Sequence, residues 1–250
     1  MTVRLSKQRF DLFTIGTRHS FVFEIAEELS YWSDPDENVI GLVFHDRVDD
    51  EFGWALMVRD RLGRFRSVLV DSCIPTERRA QASLRLEIAE VSRKADLSEL
   101  GVQGDETNAP VDLLSVIPGT PPDQLHPYFL QVIEAPGRAP ARAVLREIGP
   151  WLTATDPHFV REFQRHQFDQ RLWELYLWAA FREGGYDVEH SIAPDFLVRA
   201  PGIAFTVEAT TVAPSMSGAL AEHPNPRTPE ELEAFLANYM PMKYGNFFYR

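Results

Sequence analysis

Pro194-Asp195-Phe196-Leu197-Val198-Arg199-Ala200-Pro201-Gly202-Ile203-Ala204-Phe205-Thr206-Val207-Glu208-Ala209-Thr210 is the stretch on which the reading turns. Pro201-Gly202 is a turn signal between two strand-like runs, so the stretch reads as a β-hairpin. With the turn centred there, Ala200 faces Ile203, Arg199 faces Ala204, and Asp195 falls opposite Glu208. Strand side chains alternate between faces. Asp195, Leu197, Thr206, Glu208 and Thr210 therefore share one face, with Arg199 on it too. Phe196, Val198, Phe205, Val207 and Ala209 share the other, which is apolar and should pack on the core. Like charges directly opposite on a sheet are destabilising, so the acid pair needs compensation. A divalent cation provides it, since carboxylate oxygens are natural ligands of Mg²⁺; a shared proton is the alternative. A register slip of one residue would turn one acid to solvent and dissolve the pair.

Working outward, Asp156 reads as an N-cap with Pro157 at the first helical position. The helix runs to about Glu183 and stops at Gly184-Gly185. Its second half, Leu172-Trp173-Glu174-Leu175-Tyr176-Leu177-Trp178-Ala179-Ala180-Phe181, is apolar nearly all round, which argues burial. Trp173, Tyr176, Trp178 and Phe181 read as core rather than as base-stacking residues. A buried Glu174 needs a partner or a metal, and Arg171 and Arg182 are the ordinary partners. Arg161, Arg165 and Arg171 read as a solvated face, and His166 as structural. Strand-like pieces follow at Tyr186 to Ile192, Asp195 to Arg199 and Ile203 to Val212, then a loop from Ala213 to Arg227. Thr228-Pro229-Glu230-Glu231 is a capping-box start to a last helix reaching roughly Tyr239, with Lys243 to Arg250 as a final short strand.

A long helix with an inner Glu, then a hairpin with Pro194-Asp195 on one strand and Val207-Glu208-Ala209-Thr210 on the next, then a helix, resembles the PD-(D/E)XK nuclease superfamily, the restriction-endonuclease-like fold. The resemblance covers roughly Asp156 to the C-terminus and none of the first 120 or so residues. It implies Mg²⁺ or Mn²⁺ held by Asp195 and Glu208, with Glu174 completing the site. It also implies metal-assisted hydrolysis of nucleic acid, DNA above all, with Arg199 and Thr210 on the substrate side. The family's lysine lies two residues after the second acid, where this chain has Thr210. Lys243, downstream, stands in for it if its segment folds back over the site; otherwise it is a surface lysine. The rival expectation is a catalytically inactive member of the fold that acts as a binding or assembly module.

The N-terminal part reads differently. Val39 to Phe44, Phe52 to Val58 and Phe65 to Val70 are joined by turns and suit an antiparallel meander. Thr76 to Arg93 is an amphipathic helix with Leu84, Leu86, Ile88 and Val91 as its main apolar positions, and Phe21 to Tyr31 reads as a short helix. Gly101 to Pro122 is polar and rich in Pro and Gly, a linker, followed by short helices at Asp123 to Glu134 and Ala139 to Trp151. The expected class is α+β in three parts. Residues 1–100 form an antiparallel sheet with a helix, 101–155 a helical connector, and 156–250 the nuclease-like α/β core.

Composition narrows the function classes. The chain has 250 residues with 44% hydrophobic and 25% charged, enough to bury a core without staples. The single cysteine, Cys73, excludes an intrachain disulfide and a Cys-rich zinc module, and reads as a buried thiol. The net charge of −12 counts against a broad, non-specific nucleic-acid binder while leaving room for a local basic groove. Met1 to Phe10 lacks the apolar region of a signal peptide, and Leu175 to Phe181, the longest apolar run, is far short of a membrane span. The expectation is a cytoplasmic chain with no membrane partner and an open oligomeric state. The apolar end Phe247-Phe248-Tyr249-Arg250 reads as a chain that stops inside an element. Of the seven histidines none shows a metal-ligand spacing; His45-Asp46 follows a strand without a nameable partner, and Ser215 and Ser217 lack a base. A glycosidase also uses two carboxylates, but acids on adjacent strands sit too close for an inverting geometry.

Overall fold

The computed structural model describes residues 1–18, 20–106, 109–152, 158–190, 194–212 and 224–248. The chain divides into two compact units, Met1–Ala209 and Thr210–Arg250, each described by itself. In the first, β1 (Val3–Leu5), α1 (Lys7–Phe13) and α2 (Ser20–Ile25) lead into β2 (Ala26–Ser33), β3 (Val39–Asp46), β4 (Glu51–Arg59) and β5 (Phe65–Ile74). The helices α3 (Glu77–Val91), α4 (Leu97–Leu100), α5 (Pro127–Glu134), α6 (Ala139–Ile148), α7 (Phe159–Gln164) and α8 (Phe168–Glu183) follow. The hairpin region closes the unit as β6 (Asp187–His190), β7 (Phe196–Ala200) and β8 (Ile203–Val207). The second unit is helical: α9 (Pro229–Ala234) passes through a π-helical turn, Phe235–Tyr239, into α10 (Met240–Phe248). The protein is thus α+β with antiparallel sheets.

Strands β1 to β5 form one antiparallel sheet in sequential order, which is the expected three-stranded meander, β3 to β5, with β1 and β2 added. Both of its faces are covered. Val39, Val43, Trp54, Leu56 and Val58 pack under Ala80, Leu84, Ile88 and Val91 of α3. On the other face Ile40, Leu42, Met57 and Phe65 pack with Phe10 and Phe13 of α1. Double burial explains why Val39 to Phe44 is a continuous apolar run rather than an alternating one. Gly41 permits the close approach of α3: a Cβ there would stand 2.6 Å from Leu84 Cδ1 and 2.9 Å from the Ala55 carbonyl oxygen.

A second core joins the connector to the hairpin region. Leu113, Phe129, Leu145 and Ile148 pack with Phe163, Phe168, Leu175, Trp178, Phe196 and Val198. Strands β6, β7 and β8 form their own antiparallel sheet.

Several expectations are corrected. Phe21 to Tyr31 is helical only to Ile25; from Ala26 the chain is strand β2, paired on both sides. Leu86 is 72% exposed, because at 100° per residue it points away from the stripe formed by Ala80, Leu84, Ile88 and Val91. Cys73 is exposed, with φ of 61°, on β5, an edge strand whose outer half faces solvent. The long helix is broken: α7 ends at Gln164 and α8 begins at Phe168. The cap at Asp156 and Pro157 lies outside the described residues. Lys243 begins no strand; it sits within α10 and is buried. His19, Ser215, Ser217 and His223 also lie outside the described residues, as do Tyr249 and Arg250 at the chain end.

Candidate functional site

The hairpin pairs as its turn dictates. Phe196 faces Val207, Leu197 faces Thr206, Val198 faces Phe205, Arg199 faces Ala204 and Ala200 faces Ile203. Gly202, with φ of 76°, supplies the left-handed residue of the turn. Asp195 and Glu208 stand one step beyond the last pair. Phe196, Val198 and Ala209 are buried, whereas Arg199, Thr206 and Glu208 are exposed, so the two faces divide as the alternation requires. Asp195 is anchored: its Oδ2 accepts the Ala209 N–H at 2.7 Å.

From the helix side, Glu174 is only 2% exposed. Its Oε1 accepts from Gln170 Nε2 at 3.0 Å and its Oε2 from Arg171 Nη1 at 2.8 Å. Arg171 also donates through Nε to Glu162 at 3.0 Å, so the expected solvated face does not include it. The same Gln170 Nε2 donates to the Ala209 carbonyl oxygen at 2.8 Å. One network therefore runs Glu162, Arg171, Glu174, Gln170, Ala209, Asp195. Burial raises the Glu174 carboxyl above the ordinary carboxylate range; its bonds to Arg171 and Gln170 oppose the shift, and the charge of Asp195 adds to it.

The remaining site candidates are less convergent. Arg199 pairs across to Glu189 of β6 at 2.8 Å, at the far end of β7 from Asp195. Thr210 is exposed and opens the second unit, and Lys243 belongs to that unit. Trp173 and Tyr176, expected in the core, are 39% and 60% exposed and stack on each other at 5.3 Å. Only one side of α8 packs into the second core, and Trp178 lies on it. His45 has a partner after all, Asp50, at 2.8 Å. Gln170 is the site residue that sequence reasoning missed; Arg171, one of the two arginines expected beside Glu174, is the one that pairs with it. Their spacing of four and three residues before Glu174 is the signal that places all three on one helix face.

Among the described residues no three His, Cys, Asp or Glu side chains are grouped so as to hold a metal ion. Both Glu174 oxygens are engaged, which leaves Asp195 and the exposed Glu208 as the carboxylates open to a cation. Two carboxylates fit Mg²⁺, which keeps several waters and commonly takes one or two carboxylates plus substrate phosphate. They do not make a closed, all-protein cage. No helix is long and apolar enough to cross a membrane among the described residues. No family model, curated protein or solved structure matches the chain.

Proposed function

We propose that the chain is a divalent-metal-dependent phosphodiesterase of nucleic acid, with DNA the favoured substrate, on a restriction-endonuclease-like core. The observation that carries this reading is the register of β7 with β8, which runs to Phe196 and Val207 and makes Asp195 and Glu208 the next residues in that register. On α8 the buried Glu174 shares the Gln170 amide with the Ala209 carbonyl, and the charge of Asp195 acts on it. In this reading Asp195 and Glu208 hold Mg²⁺ or Mn²⁺, and Glu174 is the third acid behind them. The ion supplies polarisation of the phosphate and a water of lowered pKa. Asp195 fixes the chain beside Glu208 by accepting the Ala209 N–H. Arg171 keeps the buried Glu174 compensated, and brings to the site a cation that Thr210 cannot provide. Arg199 is half-exposed in its pair with Glu189; such pairs are weak, so a phosphate can take over the guanidinium.

The second reading, a binding or assembly module on the same fold, draws on two observations: Arg171 occupies one Glu174 oxygen, and threonine stands at the family's lysine position. Incubation of the full chain with supercoiled DNA, single-stranded DNA and RNA in Mg²⁺ or Mn²⁺ separates the readings. Cleavage that disappears in Asp195→Ala and Glu208→Ala is expected. Cleavage that survives both substitutions, or none by the unaltered chain, contradicts the phosphodiesterase reading.

A further inference from the structure

The β8 ladder stops at Val207, so no strand pairing fixes Glu208 or the residue after it. Yet Ala209 is buried, and its peptide groups are held from two sides. Asp195 takes the N–H at 2.7 Å and Gln170 Nε2 gives to the carbonyl oxygen at 2.8 Å. A buried backbone carbonyl needs a partner, and any donor would meet that need. Gln170 does more, because the same nitrogen reaches Glu174 Oε1 at 3.0 Å. A single side-chain amide thereby ties the acid on the helix to the residue that follows the acid on the strand. Asp195, through Ala209, is tied to the same point. If Gln170 let go, the Ala209 carbonyl would lose this donor and Glu174 Oε1 its bond to the amide, leaving Glu174 held through Oε2 by Arg171.

We infer that Gln170 is a positioning residue for the metal carboxylates. It holds Ala209 so that Glu208 stays next in register to Asp195, and it ties that end of the strand to Glu174. This rests on the metal-dependent reading above. It assigns Gln170 no contact with metal or substrate. Partners that orient metal ligands typically contribute 10- to 100-fold in metal affinity, which sets the scale of the test.

The experiment is a Mn²⁺ titration of the full chain, with free Mn²⁺ read by electron paramagnetic resonance, for the unaltered protein, Gln170→Leu and Gln170→Glu. Gln170→Glu keeps the shape of the side chain, but its carboxylate cannot donate to the Ala209 carbonyl. Thermal melts accompany each titration. Gly41→Ala, which loosens the distant packing of α3 on the large sheet, serves as a control for general destabilisation. The expected result is Mn²⁺ affinity weakened by about 10-fold or more in both Gln170 variants and unchanged in Gly41→Ala. Unchanged affinity in folded Gln170→Glu, with the unaltered chain binding, overturns the positioning role and leaves the metal site standing. No Mn²⁺ binding by the unaltered chain overturns the metal reading itself, and the inference with it.

Discussion

Burial lifts the Glu174 carboxyl above the ordinary carboxylate range, and Arg171 and Gln170 only partly offset that. An acid with a raised folded-state pKa holds its proton after the unfolded chain has released its own, so the folded state loses stability as pH rises across that window. The window opens at the ordinary Glu value, about 4.3, and closes at the raised one. Glu174→Gln removes this loss. The melting temperature of Glu174→Gln relative to the unaltered chain should therefore climb from pH 4 to pH 7; a difference independent of pH would contradict the assignment. At this scale the register of the hairpin was legible up to Phe196 and Val207, because a strand alternates with period two and Pro201-Gly202 fixes which residues face each other. The partner of Glu174 was legible only as one of two arginines. Spacing favours Arg171, three residues before Glu174, over Arg182, eight residues after it; what the local pattern does not show is the break after which α8 starts at Phe168.

The break between α7 and α8 is built from tertiary contacts. Phe163 and Phe168 are both buried with ring centroids 5.1 Å apart, and five residues apart on one continuous helix they would point about 140° from each other. Gln164, fully buried, spends its amide on the connector: it donates to the Ser115 carbonyl at 2.8 Å and accepts the Ile117 N–H at 3.1 Å. Its own carbonyl accepts the His126 N–H at 2.9 Å instead of continuing the helix. Truncation at Gln164→Ala strands these groups and should cost about 2 kcal/mol, read from urea melts, with faster hydrogen exchange at Ile117. On the large sheet, Gly41→Ala pushes a methyl into Leu84 and the Ala55 carbonyl. About 2 kcal/mol of destabilisation is expected there too, and a loss under about 0.5 kcal/mol would show that α3 can retreat freely. The meander was legible because turn residues punctuate it. The first half of β2 was not, since Phe21 to Tyr31 carries no turn signal where helix gives way to strand.

Over the whole molecule, the connector residues Leu113, Phe129, Leu145 and Ile148 share a core with α8 and the hairpin. A polar, Pro- and Gly-rich composition marks loops without saying whether they are packed, so the sequence alone suggests a linker. The boundary between compact units falls after Ala209, immediately beyond the candidate site. The net charge of −12 works against phosphate binding at long range, so any nucleic-acid affinity has to be local, and the proposed reading makes it metal-dependent. That makes metal binding the most direct test of the account. Calorimetric titration of Mn²⁺ into the full chain should show one site, with binding abolished in Asp195→Ala and Glu208→Ala and its affinity reduced in Glu174→Gln. Binding that is absent from the unaltered chain, or that persists when both hairpin acids are removed, would contradict the proposal that Asp195 and Glu208 hold a cation.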